Sequence, residues 1–518
     1  MKMTQMINKI LFCFAFIAVF PHILPAQKIS YSQPEKDDVR SSDFDIIGKI
    51  GGKYLVYKNT RNNYFVSVYD DDMKLIDKVK LDFMPEKLIN SDIITYKDYF
   101  YFIYQYQHKN IIYCEAARIN GDGKTEGDPV ILDTTSINFF ANNKIYNVLY
   151  SEDKQYIGLY KINSKNESSY IFTRCLFDAS LKLVAKNATA IHMQPNYDFL
   201  TEFSLNNDGW IAFVKASGSA AKNDNGNIQQ LTLMITRPAI DSVESYPINT
   251  PKIYFNDIRV KVDNINKHVV IAAFYAKQKR GNIEGLYCSL WSGTVDSIIS
   301  AKQFFFNDEL RSNAKSEGST RSAFNDFFLQ NIVARKDGGF VVVSESAYST
   351  NRGVYNDRWN YPYSNSYWNN SNSYMYGSPY GYTSYPWMSP YNYGFPNQLT
   401  RYYADNIAIL SFDSLVNIQW ANIIAKSQFD DNSDNFIGYG TFITSGQVNF
   451  LFNQFVKRTL LLQAEAITPQ GKIVEAPTLK GLDRGYQFMP RYIKQVSARE
   501  VLVPCQYRNY LCFAKIEF

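Results

Sequence analysis

The sequence reads Tyr64-Phe-Val-Ser-Val-Tyr-Asp70, passes through Asp71-Asp-Met73, and continues as Lys74-Leu-Ile-Asp-Lys-Val-Lys-Leu81. Apolar and polar residues alternate in both runs, which is the pattern of a β-strand with one buried face. The acidic residues between the runs favour a tight turn, because Asp side chains accept hydrogen bonds from the backbone of a turn. The stretch therefore predicts two strands joined by a short turn.

The same strand, turn and strand unit recurs along the chain. Clear copies are at 111–124, 170–182, 407–420 and 460–472, and looser copies are at 231–243 and 286–298. The turns are roughly 50 to 60 residues apart, except for one interval of about 120, and a regular spacing of this size is typical of repeat folds. Two more strands fit between successive turns. Four strands per unit predict the blade of a β-propeller.

The chain ends within an eighth unit, which has three strands at 486–496, 500–507 and 509–518. An unpaired hydrophobic edge strand favours aggregation, so we expect a further strand to cover it. Residues Lys28-Ile-Ser-Tyr-Ser-Gln33 supply a candidate. We predict an all-β fold, a β-propeller of about eight four-stranded blades whose ring closes when the N-terminal strand pairs with the last blade. Seven blades, or two β domains, are the alternatives.

This repeat pattern resembles the degenerate β-propeller superfamily, with quinoprotein-like or WD-like repeats, that is found in exported bacterial proteins. The resemblance covers nearly the whole chain after the leader and rests on the order of strands and turns. The Trp-Asp signature of WD repeats and the Ser-x-Asp-x-Gly-x-x-Trp box of sialidase-type blades are absent from the sequence. The resemblance implies a fold and no particular activity, because propellers serve many unrelated functions.

The first 26 residues predict an export signal. Two lysines precede the apolar run 10–20, and Pro21, Pro25 and Ala26 follow it. The run is about half of a bilayer span, so we expect cleavage after Ala26 and no membrane anchor. The Ala-Gln end of this leader resembles those of exported Bacteroidota proteins. We predict a signal peptide at 1–26, a single propeller domain at 27–518, and a mature protein in the periplasm or at the outer membrane, with the cell surface as a further location.

Composition limits the classes of function. The 54 basic and 49 acidic residues are nearly balanced and form no stripe, so we expect no nucleic-acid partner. The chain has 518 residues, of which 46% are hydrophobic and 16% aromatic, which suffices for one large core and favours β structure. Beyond the leader no apolar stretch is long enough to span a membrane, so we expect a mature protein that does not cross one.

Residues 353–403, rich in Tyr, Asn, Pro and Gly, interrupt the repeat. The part from 355 to 403 contains thirteen Tyr and three Trp, with almost no aliphatic residue, and predicts a long loop inserted in the sixth blade. Tyr and Trp offer rigid contact area, which suits a protein partner or stacked sugar rings, although a tolerated low-complexity loop is the alternative. The predicted partner-binding residues are Tyr361, Tyr363, Tyr367, Trp368, Tyr374, Tyr376, Tyr380, Tyr382, Tyr385, Trp387, Tyr391 and Tyr393.

Catalytic and metal-binding motifs are missing from the sequence. Three histidines remain after the leader, and none stands in a His-Glu-x-x-His arrangement. No Gly-x-Ser-x-Gly elbow, Cys-x-x-Cys pair or Walker loop occurs. We therefore predict no catalytic residue, no metal site and no cofactor.

Two kinds of covalent modification are expected. Asp-Ser-aliphatic triplets at three equivalent turns are similar to the O-glycosylation motif of Bacteroidota and predict Ser242, Ser297 and Ser414 as acceptors, although good turn chemistry explains Asp-Ser equally well. Cys505 and Cys512 flank a probable hairpin turn and predict a disulfide, with buried free thiols as the alternative.

These features favour a non-catalytic interaction module that presents its aromatic loop to a protein partner in the cell envelope. Such a module could act as an accessory or plug subunit of an outer-membrane secretion or gliding complex. The alternative is a glycan-binding protein, or a carbohydrate-active or other hydrolytic enzyme, that uses the propeller channel. A cluster of acidic and basic side chains at one mouth of the channel would favour this alternative. A self-associating subunit of a surface layer is a third hypothesis.

Overall fold

The computed structural model describes residues 28–38, 42–138, 140–141, 144–166, 168–194, 198–218, 228–315, 319–351, 354–356, 400–431, 433–444, 446–456, 459–475 and 485–518. These residues form 36 β-strands, one α-helix, α1 (Asp308–Ala314), and two short 3-10 helices at Thr320–Ser322 and Pro490–Tyr492. None of the described helices is long and apolar enough to cross a membrane.

The strands form eight antiparallel sheets, which are the blades. The two N-terminal strands and the strands of blades 1 to 4 are β1 (Lys28–Tyr31), β2 (Glu35–Asp38), β3 (Ser42–Ile50), β4 (Lys53–Thr60), β5 (Asn63–Tyr69), β6 (Leu75–Lys80), β7 (Asn90–Thr95), β8 (Tyr99–His108), β9 (Ile111–Asn120), β10 (Val130–Ser136), β11 (Asn147–Tyr150), β12 (Tyr156–Asn166), β13 (Ser169–Asp178), β14 (Leu183–His192), β15 (Asp198–Leu205), β16 (Ile211–Ser217), β17 (Gln230–Thr236) and β18 (Val243–Pro247).

The strands of blades 5 to 8 are β19 (Tyr254–Asp263), β20 (His268–Ala276), β21 (Ile283–Ser292), β22 (Ser297–Phe305), β23 (Phe327–Ala334), β24 (Phe340–Asn351), β25 (Val354–Asn356), β26 (Thr400–Phe412), β27 (Ile418–Ile424), β28 (Gln428–Asp431), β29 (Tyr439–Thr444), β30 (Gln447–Val456), β31 (Thr459–Ile467), β32 (Ile473–Glu475), β33 (Tyr486–Phe488), β34 (Lys494–Gln495), β35 (Glu500–Tyr507) and β36 (Tyr510–Glu517). Blade 6 has the order β23-β24-β26-β27, with β25 and β28 as additions, and blade 8 has the order β33-β35-β36-β1.

Five of the turns between third and fourth strands use the same hydrogen bonds. In blade 1, the Asp70 amide donates to the Lys74 carbonyl at 3.0 Å, and the Met73 amide donates to the Asp70 carbonyl at 3.1 Å. Asp70 Oδ1 also accepts the amides of Asp72 and Lys74. The equivalent first residues of the other four turns are Asn120, Asp178, Asp413 and Thr468. A side-chain oxygen at this position therefore stabilises each turn.

Hydrophobic side chains pack between successive blades. Eight clusters of buried apolar residues in the described part of the chain each draw on two neighbouring blades. The cluster between blades 8 and 1 brings Ile46 and Tyr54 against Leu502 and Phe513. Because this interface is built like the other seven, the ring is closed. The prediction of an eight-bladed β-propeller is confirmed.

The N-terminal strand completes the last blade, as predicted. β1 pairs antiparallel with β36, from Lys28 opposite Glu517 to Tyr31 opposite Ala514. β2 continues along the same strand. The two ends of the described chain therefore share one sheet.

Glu35, at the start of β2, fixes this closure to blade 1. Its carboxylate accepts a hydrogen bond from Tyr69 Oη at 2.7 Å and contacts Lys58 Nζ. The Lys58 side chain is only 1% exposed, and its Nζ lies 5.2 Å from the centre of the Phe513 ring. Burial disfavours the charged carboxylate, but the charge and hydrogen bond of Lys58 outweigh burial and lower the pKa of Glu35.

Candidate functional site

The first strand of each blade lines the central channel. First strands of successive blades contact one another, as β3 contacts β7 and β15 contacts β19, whereas fourth strands such as β6 are largely exposed. We call the side with the first-to-second and third-to-fourth strand turns the turn face, and the opposite side the insertion face. β24 and β26 meet at the insertion face, where Asn351 lies opposite Thr400.

Four charged side chains from four blades lie together in the channel near the turn face. They are Lys494 of blade 8, Asp45 of blade 1, Asp92 of blade 2 and Lys154, which lies in the turn between β11 and β12 of blade 3. All four are partly exposed. The charges of Lys494 and Asp92 act on Asp45, and the charge of Lys154 acts on Lys494. We call these four residues the channel cluster.

Gly48 lies beside the channel cluster. Its φ is 127°, and a β-bulge lies between Ile46 and Gly48. A Cβ atom at Gly48 would lie 3.7 Å from Thr95 Cγ2 and 4.0 Å from Lys494 Cε. The Lys154 ammonium donates to the Thr95 carbonyl at 2.5 Å. Side chains from blades 8 and 2 therefore meet at the inner edge of blade 1, and Lys154 of blade 3 bonds to blade 2 at Thr95.

The channel cluster contains groups that titrate near neutral pH. Burial raises the pKa of Asp45 to about 6, with Lys494 opposing and Asp92 reinforcing the shift. Burial lowers the pKa of Lys494 to about 8, with Asp45 opposing and Lys154 reinforcing the shift. Burial also lowers the pKa of Lys154. Groups with shifted pKa values that lie together in a cleft are typical of functional sites, although structural ion pairs also shift pKa values.

Neighbouring carboxylates act on most of the ammonium groups at the channel. Asp92 is paired with Lys144, whose Nζ lies 3.1 Å from Oδ1. Lys154 has no carboxylate partner in the described parts of the chain, since its ammonium bonds a backbone carbonyl. Lys261 of β19 makes no hydrogen bond or ion pair within those same residues. Burial lowers its pKa, and the charges of Glu152 and Asp263 oppose this shift.

Asn and Glu side chains stabilise the turn that carries Lys154. The Asp153 amide donates to Asn207 Oδ1 at 3.2 Å, and the Asn207 amide donates to Asn264 Oδ1 at 2.9 Å. Asn264 Nδ2 in turn donates to Glu152 Oε2 at 2.7 Å. These bonds join the inner turns of blades 3, 4 and 5. The position of Lys154 is therefore held by three blades.

A second charged pair in the channel wall is structural. Glu202 of β15 has a φ of 60° and accepts a hydrogen bond from Arg259 Nη1 at 2.9 Å. Arg259 Nε donates to the Leu329 carbonyl at 3.0 Å. Burial raises the pKa of Glu202, and Arg259 opposes the shift. These hydrogen bonds connect blades 4, 5 and 6. Because Glu202 and Arg259 bond to protein groups, fewer of their donors and acceptors are available to a ligand.

Three aromatic rings form a row on blade 6 at the insertion face. Tyr348 lies opposite Tyr403, and Tyr403 lies opposite Phe429, on three neighbouring strands. The centroids of Tyr348 and Tyr403 are 4.5 Å apart with nearly parallel rings, and those of Tyr403 and Phe429 are 6.3 Å apart. The Arg401 guanidinium lies 4.6 Å from the Phe429 centroid, and its Nε is 2.7 Å from Asp431 Oδ1. The Phe429 side chain is 49% exposed. We call the three rings the aromatic row.

The predicted partner-binding Tyr and Trp residues between 361 and 393 lie outside the described residues, which stop at Asn356 and resume at Thr400. The predicted glycosylation acceptors all lie at third-to-fourth strand turns of the turn face: Ser242 is exposed, and Ser297 and Ser414 are partly exposed. Asp413 caps its turn by accepting two amides, so the turn explanation of the Asp-Ser motif also holds there.

The predicted disulfide pair is close but unbonded. Cys505 and Cys512 lie directly opposite each other on β35 and β36, and their Sγ atoms are 3.1 Å apart. Both side chains are buried, as are those of Cys114, Cys175 and Cys288. The structure thus brings the two predicted thiols together, and the disulfide stays a prediction.

The sequence did not identify the channel cluster. Its residues come from four different blades and form no local motif, so only the ring geometry brings them together. A weak sequence sign was available, because Asp45 is a carboxylate directly before the apolar pair Ile46 and Ile47 in an inner strand. In the parts of the chain that the structure describes, no three His, Cys, Asp or Glu side chains are grouped as metal ligands would be.

No protein-family model matches the sequence, and no curated protein matches it. Solved structures that resemble it include a prolyl endopeptidase, at 7% identity and a TM-score of 0.39, and prolyl oligopeptidase B from Galerina marginata, at 7% and 0.40. The match covers 91% of this chain in both cases but only 55% and 56% of those chains, so this chain spans little more than half their length. An ulvan lyase of polysaccharide lyase family PL25 resembles it at 10% identity and a TM-score of 0.35, with 81% of this chain and 90% of the lyase covered.

These similarities are remote and concern the fold alone. The arrangement of the strands defines the class of the protein, which is an eight-bladed β-propeller. Its distinguishing feature is the group of charged side chains in the channel near the turn face.

Proposed function

We propose that this protein binds a glycan in its central channel, at the turn face. The observation that carries the proposal is the channel cluster, in which charged side chains from four blades act on one another. Convergent polar groups at an opening between structural elements are the usual property of a ligand site. Sugar hydroxyls both donate and accept hydrogen bonds, so they suit a lining that contains ammonium and carboxylate groups.

Removal of single charges from the channel cluster tests this proposal. A glycan array of the purified protein would first identify ligands, and calorimetry would then compare wild type with Asp45→Asn and Lys494→Met. We expect each variant to bind about ten-fold more weakly, because each loses a hydrogen bond to a charged group. Lys182→Met changes an exposed lysine of the same face and serves as the control. Unchanged affinity of both channel variants would place the ligand elsewhere.

A second candidate function is protein binding at the insertion face, by an exported protein of the periplasm or outer membrane. The aromatic row supports this candidate, because exposed aromatic and Arg side chains are enriched in protein interfaces. The row lies on the strands that flank the predicted loop at 353–403. In this role the protein would be an accessory or plug subunit of an envelope complex.

Affinity purification from the native envelope distinguishes the two functions. Tagged wild type would be compared with a deletion of 357–399, with Phe429→Ala and with Lys494→Met, and fractionation of the same cells would report the location. A stoichiometric partner that is lost with the deletion and Phe429→Ala, but kept with Lys494→Met, would support the second candidate. If all forms purify alone, that candidate fails and the channel remains the site to study.

A further inference from the structure

We infer that the channel holds a glycan by one end of its chain, because the turn between β11 and β12 lies across the path that a continuous chain would take. The inference rests on the proposed function, since it names the part of the glycan that the same site would bind. We call residues 151–155 the crossing turn. A chain end can stop against such a turn, whereas an internal segment needs an open path on both sides.

The crossing turn belongs to blade 3 and reaches blades that are not its neighbours. Glu152 Oε2 accepts a hydrogen bond from Asn264 Nδ2 of blade 5 at 2.7 Å, although blade 4 lies between blades 3 and 5. In the opposite direction, the charge of Lys154 acts on Lys494 of blade 8, beyond blades 2 and 1. A turn that stayed above its own blade would meet only blades 2 and 4. The crossing turn therefore extends inwards over the channel.

The other end of the crossing turn is bonded where the channel wall is drawn together. Lys154 Nζ donates to the Thr95 carbonyl of blade 2 at 2.5 Å. The Cβ position of Gly48 in blade 1 is 3.7 Å from Thr95 Cγ2 and 4.0 Å from Lys494 Cε. Side chains of blades 2 and 8 thus approach each other across the inner strand of blade 1. The crossing turn runs from this narrow stretch to its bond with blade 5.

Hydrogen bonds within and around the crossing turn fix its conformation. Ser151 Oγ donates to Asp153 Oδ1 at 2.6 Å, and the amide of Gln155 donates to the same oxygen at 3.0 Å. The Lys154 amide donates to the Ser151 carbonyl at 2.9 Å, and Tyr96 Oη of blade 2 donates to the Lys154 carbonyl at 3.0 Å. Networks of this kind make a segment rigid. The crossing turn is therefore a fixed obstacle and does not swing aside as a lid.

The carboxylates of the channel cluster lie further inside the channel than the crossing turn. Asp92 and Asp45 come a few residues before the turn-face ends of β7 and β3, whereas Lys154 is part of the crossing turn itself. A sugar unit that contacts these carboxylates and Lys154 lies against the inner side of the crossing turn. The next unit on that side would meet the turn, so the chain can continue only in the other direction.

The test counts protein molecules per glycan chain. Calorimetry and analytical ultracentrifugation of the full chain would compare hexagalacturonate with polygalacturonate, xylohexaose with xylan, and maltohexaose with amylose. A shortened variant replaces residues 152–155 by Asn-Gly, which suits a two-residue hairpin turn. Lys154→Met keeps the crossing turn and is the matched control for the charge that the shortened variant also loses. Circular dichroism and thermal melting would confirm that each variant is folded.

We expect a single wild-type molecule on each chain, for hexamer and polymer alike, because the two ends of a glycan differ and the site would fit one of them. Lys154→Met should keep this ratio and bind about ten-fold more weakly, as expected from loss of a charge-assisted hydrogen bond. The shortened variant should place several protein molecules on one polymer chain, because internal segments could then lie in the channel.

Several wild-type molecules on one polymer chain would overturn the inference and leave the proposed function intact. A single molecule of the shortened variant on each polymer chain would show that the crossing turn is not what stops the chain, and would overturn the inference too. Binding of none of these glycans would overturn the inference together with the proposed function.

Discussion

Cys505 and Cys512 face each other across the hairpin of the closing blade, with their Sγ atoms 3.1 Å apart. Both thiols are buried and unbonded in the structure. The distance is short enough that loss of two electrons and two protons to oxidised glutathione would join them with little movement of the backbone.

We expect oxidised protein to contain this single disulfide and to be more stable than reduced protein by about 2 kcal/mol, the value for a short closed loop. Mass spectrometry after alkylation would count the remaining thiols, and denaturant unfolding would measure the stability. Cys288 serves as an internal control, because it is buried and should stay reduced in the folded protein. Two alkylated residues at 505 and 512 after oxidation would contradict the prediction.

Replacement of Asp45 by Asn should stabilise the protein at neutral pH. The pKa of Asp45 rises from its ordinary 3.8 to about 6, so the folded state binds this proton more tightly than the unfolded chain does. This tighter proton binding stabilises the folded state fully below pH 4, and the stabilisation is lost as the pH rises through 6. Asp45→Asn should therefore gain about 2 kcal/mol at pH 8 relative to wild type and little at pH 4.

Thermal melts between pH 4 and pH 8 would measure this difference. Asp82→Asn, at an exposed position, is the control and should leave the pH dependence of the melting temperature unchanged. A constant difference between Asp45→Asn and wild type at all pH values would show that ionisation of Asp45 has no influence on folding.

Loss of the Glu35 carboxylate should destabilise the ring closure. Glu35→Ala removes a carboxylate that contacts the Lys58 ammonium, whose side chain is only 1% exposed. Removal of one partner from a buried pair costs about 3 kcal/mol. Denaturant unfolding would measure the loss. The double variant Glu35→Leu with Lys58→Met removes both charges and should recover most of the stability, and failure of this recovery would point to another role for Glu35.

A side chain at Gly48 should affect both stability and ligand binding. Gly48→Ala places a Cβ at a φ of 127°, next to Thr95 and Lys494. The strain costs about 1 to 3 kcal/mol. Gly52→Ala is a matched control, because Gly52 also has a positive φ but has no atom within 4 Å of its Cβ position. We expect both variants to melt earlier, and only Gly48→Ala to lose affinity for the glycan in calorimetry.

The fold could be predicted well from the sequence alone, because the strands and turns of each blade depend on residues close together in the sequence. Asp70, Asn120 and Asp178 mark turns whose side-chain oxygens cap the backbone, and these turns define the unit that is counted. The pairing of Lys28 with Glu517 was also accessible, since an incomplete last unit requires a strand from elsewhere.

The channel cluster was not accessible in the same way. Asp45 and Lys494 are nearly the whole chain apart, and each looks like an ordinary charged residue in its own surroundings. Their proximity depends on the curvature of the ring and on the bulge that ends at Gly48. No local pattern encodes either property.

The pairing of β1 with β36 also determines when the protein can finish folding. The first strand of the described chain is made early, whereas its partner strand β36 lies at residues 510–517. Earlier blades can form from contacts close in sequence, but the last sheet requires a contact across nearly the full length, which is the slowest kind to form. We therefore expect the contact between β1 and β36 to form late in folding.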